Sequence, residues 1–380
     1  MLYIHHATFH TPNIRFTDAA LILQDGQIKK IGTSSELFCP PDAQSIDAHG
    51  SIIAPGLIDL QLNGAFGDDF TAHPETIWRV AEKLPRFGVT SFLPTLITAP
   101  LERYDAARHV LKNRPQNFRG AEPLGLHVEG PFLNPQKKGA HNPAYLRAPN
   151  SDEVKHWSRA NGVWLVTLAP ELPNALALVE ELATQGIIVS MGHTMATIEE
   201  ADAGYSAGIR YATHLFNAMP PLDHRAPNAP GAALANPEWV AGVIPDGIHV
   251  HPTLVKTIWL AKGTNVNLVT DAMAALGMPP GIYELNDFEV VVSEREARLQ
   301  NGTLAGSILP LDQAVRNFIQ YTDCSLSEAL QTVTTTPAEL LNIQSERGNI
   351  AEGMIADLVM LDENLNVKMT IARGEIVYEA

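Results

Sequence analysis

Cysteine is almost missing from this chain of 380 residues: only Cys39 and Cys324 occur. Two thiols so far apart form no close metal-binding or redox pair and no disulfide framework, which fits a reducing compartment, with the cytoplasm as the expected location. Positive charge is scarce as well. The 26 basic residues stand against 42 acidic ones, a formal net charge of −16, which argues against nucleic acid or an anionic membrane surface as the main partner. No stretch approaches the roughly 20 apolar residues of a membrane span. Met1 to Asn13 carries three histidines and no basic n-region, so the chain reads as soluble and unprocessed. Neither a glycine-rich dinucleotide fingerprint nor a P-loop follows the early strands, and no internal repeat stands out. What remains is a 45% hydrophobic, 18% charged sequence, long enough for one large domain with a small companion.

Leu2 to about Ile53 read as short strands broken by turns, with an alternating stretch at Ala20 to Gln24, the turn Asp25-Gly26, and then Gln27 to Ile31. The far end has the same character: Ala356 to Leu361, a polar break at Asp362 to Asn366, Val367 to Ile371, the turn Arg373-Gly374 and Glu375 to Tyr378. Both termini are expected to share one sheet. Between them apolar runs recur at Gly56 to Gln61, Val89 to Leu93, Leu124 to Glu129, Val163 to Leu168, Ile187 to Met191, Ile209 to Thr213, Val240 to Ile244 and Val266 to Thr270. Segments of helical character separate them, among them Glu75 to Phe87, Ala175 to Gln185 and Ile198 to Ala207. This alternation predicts an α/β fold with a parallel sheet, and eight units suggest a (β/α)8 TIM-like barrel, with an open doubly wound sheet as the alternative.

A barrel gathers reactive groups at the carboxyl ends of its strands, where loops from different strands converge. Here those ends carry Gln61-Leu62-Asn63, His127-Val128-Glu129, Gly192-His193, His214, Asp246 to His249 and Asp271. One such residue means little: Glu129 alone reads equally as a helix cap, and Asp271 as an N-cap for Ala272 to Leu276. Several metal-capable side chains at equivalent positions are harder to assign to chance. Glu129, His193 and His214 would form a mixed N/O site with open positions for a catalytic divalent ion. Such a site suits hydrolysis: the ion lowers the pKa of water and polarises a carbonyl, while Asp271 takes the water's proton and passes it to the leaving amine.

These residues sit in longer runs: Pro55 to Asp59, Leu126 to Phe132, Lys138-Gly139-Ala140-His141-Asn142, Ala169-Pro170-Glu171, Gly192-His193-Thr194, Thr213 to Met219, Asp246 to His249, Thr270 to Met273 and Gly353 to Leu358. In that order they cover nearly the whole chain, which resembles the N-acetylglucosamine-6-phosphate deacetylases of the amidohydrolase superfamily. The resemblance implies a (β/α)8 barrel over 54–344 and a small β-sandwich domain formed by both termini, residues 1–53 with 345–380. It implies hydrolysis of the N-acetyl group of N-acetyl-D-glucosamine 6-phosphate, with Glu129, His193 and His214 as metal ligands, Asp271 as general base and acid, and His141 polarising the acetyl carbonyl. Ala140, His141, Asn217, Ala218, Arg225, Asp246, Gly247, Ile248, His249, Leu304, Ala305 and Gly306 are the implied substrate contacts. Arg225 and His249 would hold the phosphate. A homodimer, or a higher homo-oligomer, is also implied, with Arg225 reaching into the neighbouring subunit's site.

Two departures from the family pattern bear on these expectations. Many superfamily members end strand one in His-x-His and bridge two metals, whereas this chain has Gln61 and Asn63. Neutral amides are poor transition-metal ligands, so one divalent ion per subunit is expected, Zn²⁺ first, then Fe²⁺, Co²⁺ or Mn²⁺, with Gln61 and Asn63 bonding water or the ligands instead. The second departure is Asn228 in Arg225-Ala226-Pro227-Asn228, where the family commonly has glycine; asparagine tolerates the left-handed backbone such a loop needs. Other readings left open are the galacto epimer of the same sugar phosphate as substrate, and a non-catalytic scaffold on a hydrolase fold.

Overall fold

The computed structural model describes residues 1–10 and 15–380; the part of the N-terminal strand reading that falls on 11–14 lies outside them. Five strands come from the first 55 residues: β1 (Leu2–His10), β2 (Arg15–Gln24), β3 (Gln27–Thr33), β4 (Gln44–Asp47) and β5 (Ile52–Pro55). Eight more follow: β6 (Leu57–Leu62), β7 (Val89–Leu96), β8 (Leu126–Glu129), β9 (Val163–Leu168), β10 (Ile188–Met191), β11 (Ile209–Ala212), β12 (Val240–Val243) and β13 (Val266–Leu268). A three-stranded sheet, β14 (Gly281–Leu285), β15 (Phe288–Val292) and β16 (Ala297–Leu299), precedes the terminal β17 (Leu358–Leu361), β18 (Val367–Ala372) and β19 (Glu375–Glu379).

Strands β6 to β13 pair in sequence order, each parallel to the next. Every residue of β6, β7 and β8 is buried, as expected where helices cover a parallel sheet outside and side chains fill it inside. All eight apolar runs are therefore strands of one nearly closed barrel. Its last seam lies between β6 and β13. At the carboxyl end it closes through Asp271 N–H donating to Gln61 O and Asn63 N–H donating to Ala272 O, each 2.8 Å. At the other end Ile58 bonds Val333 and Leu268 bonds Thr332, so a loop from the C-terminal region wedges the seam.

Seven helices named here are α1 (Ile77–Ala81), α2 (Leu101–Lys112), α3 (Ala175–Thr184), α4 (Ile198–Ala207), α5 (Asn228–Ala235), α6 (Pro252–Lys262) and α7 (Leu311–Thr322). The α4 helix begins where Thr197 and Glu200 form a capping box. The expected helix Glu75 to Phe87 is instead a 3-10 turn, the short α1, and a second 3-10 turn, Leu84–Phe87. Pro85 lacks the N–H that would bond Ala81, so the α pattern cannot run through it. Ala272 to Leu276 forms no helix, which removes the capping role for Asp271. Among the described residues no helix is long and apolar enough to cross a membrane.

The two ends of the chain meet in one sheet, ordered β19-β18-β17-β5-β1-β2-β3, with β4 also paired to β1. Its join is the antiparallel pairing of Ile52–Pro55 with Leu358–Leu361. Ile4, Leu21, Ile53, Leu358 and Ile371 pack a core under it that is separate from the barrel's.

Candidate active site

Three donor atoms converge at the carboxyl ends of β8, β10 and β11. His214 Nε2 lies 3.0 Å and His193 Nε2 3.2 Å from Glu129 Oε1, and the two nitrogens are 3.1 Å apart. All three side chains are at most 6% exposed. Donors held at 2.0–2.1 Å around a tetrahedral ion lie about 3.3 Å from one another, so this triangle has the size a first-row divalent ion requires. The tautomer fits as well. His193 Nδ1 faces the Lys137 carbonyl oxygen at 2.8 Å, an acceptor only, so Nδ1 carries the proton and Nε2 presents its lone pair.

The backbone at this mouth is strained to aim these groups. His193, His214 and Asp271 have φ of 50°, 30° and 46°, left-handed values that cost a residue with a Cβ roughly 1–3 kcal/mol. Surrounding contacts enforce them. Glu171 accepts bonds from Thr194 Oγ1 (2.5 Å), Met195 N (2.6 Å) and Asn134 Nδ2 (2.9 Å), which locks the loop carrying His193. Gly139 packs so closely that a Cβ there would stand 3.2 Å from the His193 ring.

Gln61 and Asn63 act on the carboxylates. Asn63 Nδ2 donates to Asp271 Oδ1 at 2.7 Å; Gln61 Nε2 reaches the same oxygen at 3.2 Å and Glu129 Oε1 at 3.1 Å. Both amides bond Oδ1, so among the described residues Asp271 Oδ2 is left for other partners. Burial, and then the charge of Glu129, push Asp271 up to about 6 in the protein alone. His141 is set differently. The Thr98 backbone N–H donates to His141 Nδ1 at 3.2 Å, which makes Nδ1 an acceptor and places the ring proton on Nε2, 3.8 Å from Glu129 Oε2. Burial first, and then the neighbouring His193, keep this imidazole well below its ordinary pKa, hence neutral. His141 thus offers a neutral N–H donor beside the metal-capable triad.

One cavity of about 460 Å³ takes in Glu129, His193, His214, Asp271, His141, Asn63, Ala140, Asn217, Ala218, His249, Leu304 and Gly306, within the roughly 300–1,000 Å³ typical of small-molecule sites. Gln61 and Ala305 are buried behind its wall. Asp246, Gly247 and Ile248 do not line it; Asp246 instead accepts from the backbone N–H of Ile248 and of His249, each 2.8 Å, and from His249 Nδ1 at 2.6 Å. Burial pushes Asp246 up, but the His249 bond holds it below the ordinary carboxylate value. Because a carboxylate accepts, His249 Nδ1 donates, leaving Nε2 for a ligand. Arg225 is exposed, outside this wall, on a loop pinned by Asp223. Asn228 has φ 56° and bonds the Pro221 carbonyl, so it supplies the left-handed corner of that loop.

Two wall cations escaped the sequence reading, Lys137 and Arg298. Arg298 lies on β16, whose sheet closes one side of the cavity. A signal for that sheet exists: Asn286-Asp287 separates two β-prone runs, and they pair as a hairpin with Leu285 opposite Phe288 and Asn286 at φ 49°.

The chain matches the Amidohydrolase family over residues 52–377. It is similar to the N-acetylglucosamine-6-phosphate deacetylase of Danio rerio, 38% identical over 347 residues that cover 88% of this chain and 86% of the relative. Its likeness to the same-named protein of Bacillus subtilis (strain 168) is 36% over 371 residues, 94% of this chain and 92% of the relative. The crystal structure of N-acetylglucosamine-6-phosphate deacetylase from Pasteurella multocida superposes with a TM-score of 0.94 at 32% identity, covering 100% of both chains.

Proposed function

The chain belongs to the amidohydrolase family, and we propose that it hydrolyses the N-acetyl group of N-acetyl-D-glucosamine 6-phosphate, giving D-glucosamine 6-phosphate and acetate. The observation that carries this reading is the convergence of Glu129 Oε1, His193 Nε2 and His214 Nε2 in one cavity with Asp271 and a neutral His141. Those three atoms hold one divalent transition ion, Zn²⁺ first, with Fe²⁺, Co²⁺ and Mn²⁺ as alternatives. Such an ion, when bound, acidifies water and polarises the acyl oxygen. A single ion is the reading because Gln61 and Asn63, poor transition-metal ligands, donate their N–H groups to the carboxylates.

The chain's own groups divide the remaining work. Asp271 accepts the proton of the attacking water as its oxygen bonds the acetyl carbon. His141 Nε2–H donates to the oxygen that gains charge. Asp271 then returns the proton to the sugar nitrogen as the C–N bond breaks, so acetic acid and the amine leave, a proton passing between them to give acetate and the ammonium form, and the carboxylate is restored. His249 Nε2, with Lys137 and Arg298 from the same wall, faces the phosphate, and Arg225 of a second copy completes its grip in a homodimer.

The test is acetate release from N-acetylglucosamine 6-phosphate and from the unphosphorylated sugar, with and without chelator. Release confined to the phosphorylated sugar and abolished by chelation is expected. A lack of release from both sugars under metal-replete conditions would remove the reading.

A further inference from the structure

Far from the barrel mouth, the terminal sheet carries a second group of metal-capable atoms. His5 Nδ1 and His6 Nδ1 lie 3.0 Å apart, and Asp47 Oδ2 lies 3.1 Å from His6 Nδ1. Consecutive residues of a regular strand point to opposite faces, so two adjacent histidines should not meet. They meet here because β1 bulges. Pairing runs Ile4 with Leu21 but Ala7 with Ala19, which leaves one extra residue on β1, and His6 takes φ 53°. Asp47 comes from β4, paired directly across from His5.

The backbone fixes the arrangement from several sides. His6 N–H donates to Ser34 Oγ at 2.9 Å, Gly50 N–H to His6 O at 2.7 Å, and His49 N–H to Asp47 Oδ1 at 2.9 Å. His6 Nδ1 then faces an imidazole nitrogen and a carboxylate oxygen at once, and its single proton can satisfy only one of them. A divalent cation satisfies all three donors together. His49 stands beside them, with Nδ1 3.4 Å from Asp47 Oδ1.

We infer that His5, His6 and Asp47 form a surface site for a borderline divalent ion of the Zn²⁺, Ni²⁺ or Cu²⁺ class, separate from the barrel site. Two imidazoles and one carboxylate select that class over Mg²⁺ or Ca²⁺. The ion ties the bulge of β1 to β4 and leaves the deacetylase chemistry untouched. Because the three side chains are half-buried to exposed, the site is weaker than the buried one.

The test is calorimetric titration of enzyme already holding one equivalent at the barrel site, with Ni²⁺ and Zn²⁺ as probes and Mg²⁺ as control. One further equivalent per chain is expected for Ni²⁺ and Zn²⁺ and none for Mg²⁺. His6→Asn keeps a residue suited to positive φ but removes the imidazole, so it should weaken that second equivalent by about tenfold or more at unchanged deacetylase activity. His5→Ala should do the same. No second equivalent, or one that survives both substitutions, overturns the inference.

Discussion

At the residue scale, chemistry is decided by which atom of each side chain is already committed. Asp271 gives Oδ1 to Asn63 and Gln61, and His141 gives Nδ1 to Thr98, so each keeps one defined atom for the reaction. Asp271→Asn should therefore lower the turnover number for acetate release roughly a hundred- to ten-thousand-fold, because the amide cannot accept the proton. Thermal stability should hold, since asparagine tolerates the φ of 46° at this position; near-normal turnover would remove Asp271 from its role. Arg298 gives a different signature. Its guanidinium, held by the Gly302 carbonyl and Glu296, lies on a residue that lines the cavity, so Arg298→Ala should raise KM for the phosphorylated sugar about tenfold with little change in kcat. A fall in kcat with unchanged KM would instead place Arg298 in the chemistry.

At the element scale, the closing seam between β6 and β13 places Gln61, Asn63 and Asp271 together, and it contains a buried acid. Asp59 accepts from Gln61 N, Thr270 N and Thr270 Oγ1. Burial pushes it up to about 7, although the Thr270 bonds oppose the shift. The folded chain therefore binds more protons than the unfolded one between the ordinary value of 3.8 and about 7, so this group's contribution to stability falls as pH rises through that window. Asp59→Asn can keep the backbone bonds and turn the Thr270 hydroxyl to the Gln61 carbonyl, 3.1 Å away. Scanning calorimetry should find the variant's Tm higher than wild type by roughly 2 °C or more at pH 8, with the gap closing toward pH 4; a lower Tm at pH 8 would contradict this.

The eight strands and most of their polar ends were legible because parallel barrel strands are continuous apolar runs and a polar residue closing nearly every run interrupts it visibly. The β14–β16 sheet was not, since it follows the last barrel strand as an insertion that no barrel periodicity marks, and Arg298 went unread with it. Asp246 shows another limit: its place in the Asp246 to His249 run is visible in sequence, but only the fold reveals that it orients His249 and does not line the cavity. The stop at Pro85 could have been read, because proline's missing N–H is a sequence-level signal.

At the scale of the whole molecule, the barrel mouth of one chain holds every proposed catalytic group, while Arg225 stands exposed outside the wall. If Arg225 serves a neighbouring site, two defective variants should rescue each other. Mixing Asp271→Asn with Arg225→Ala under subunit exchange should restore activity at about a quarter of the sites, since half the dimers are hybrids with one intact site. Activity no greater than the two variants' sum would confine Arg225 to its own chain or to the loop. The central claim is that Glu129, His193 and His214 hold one ion on which deacetylation depends. Its most direct measurement is titration of metal-stripped enzyme with Zn²⁺ while acetate release from N-acetylglucosamine 6-phosphate is followed. The account predicts a linear rise that ends at one equivalent per chain; a break at two equivalents, or full activity before any metal is added, would contradict it.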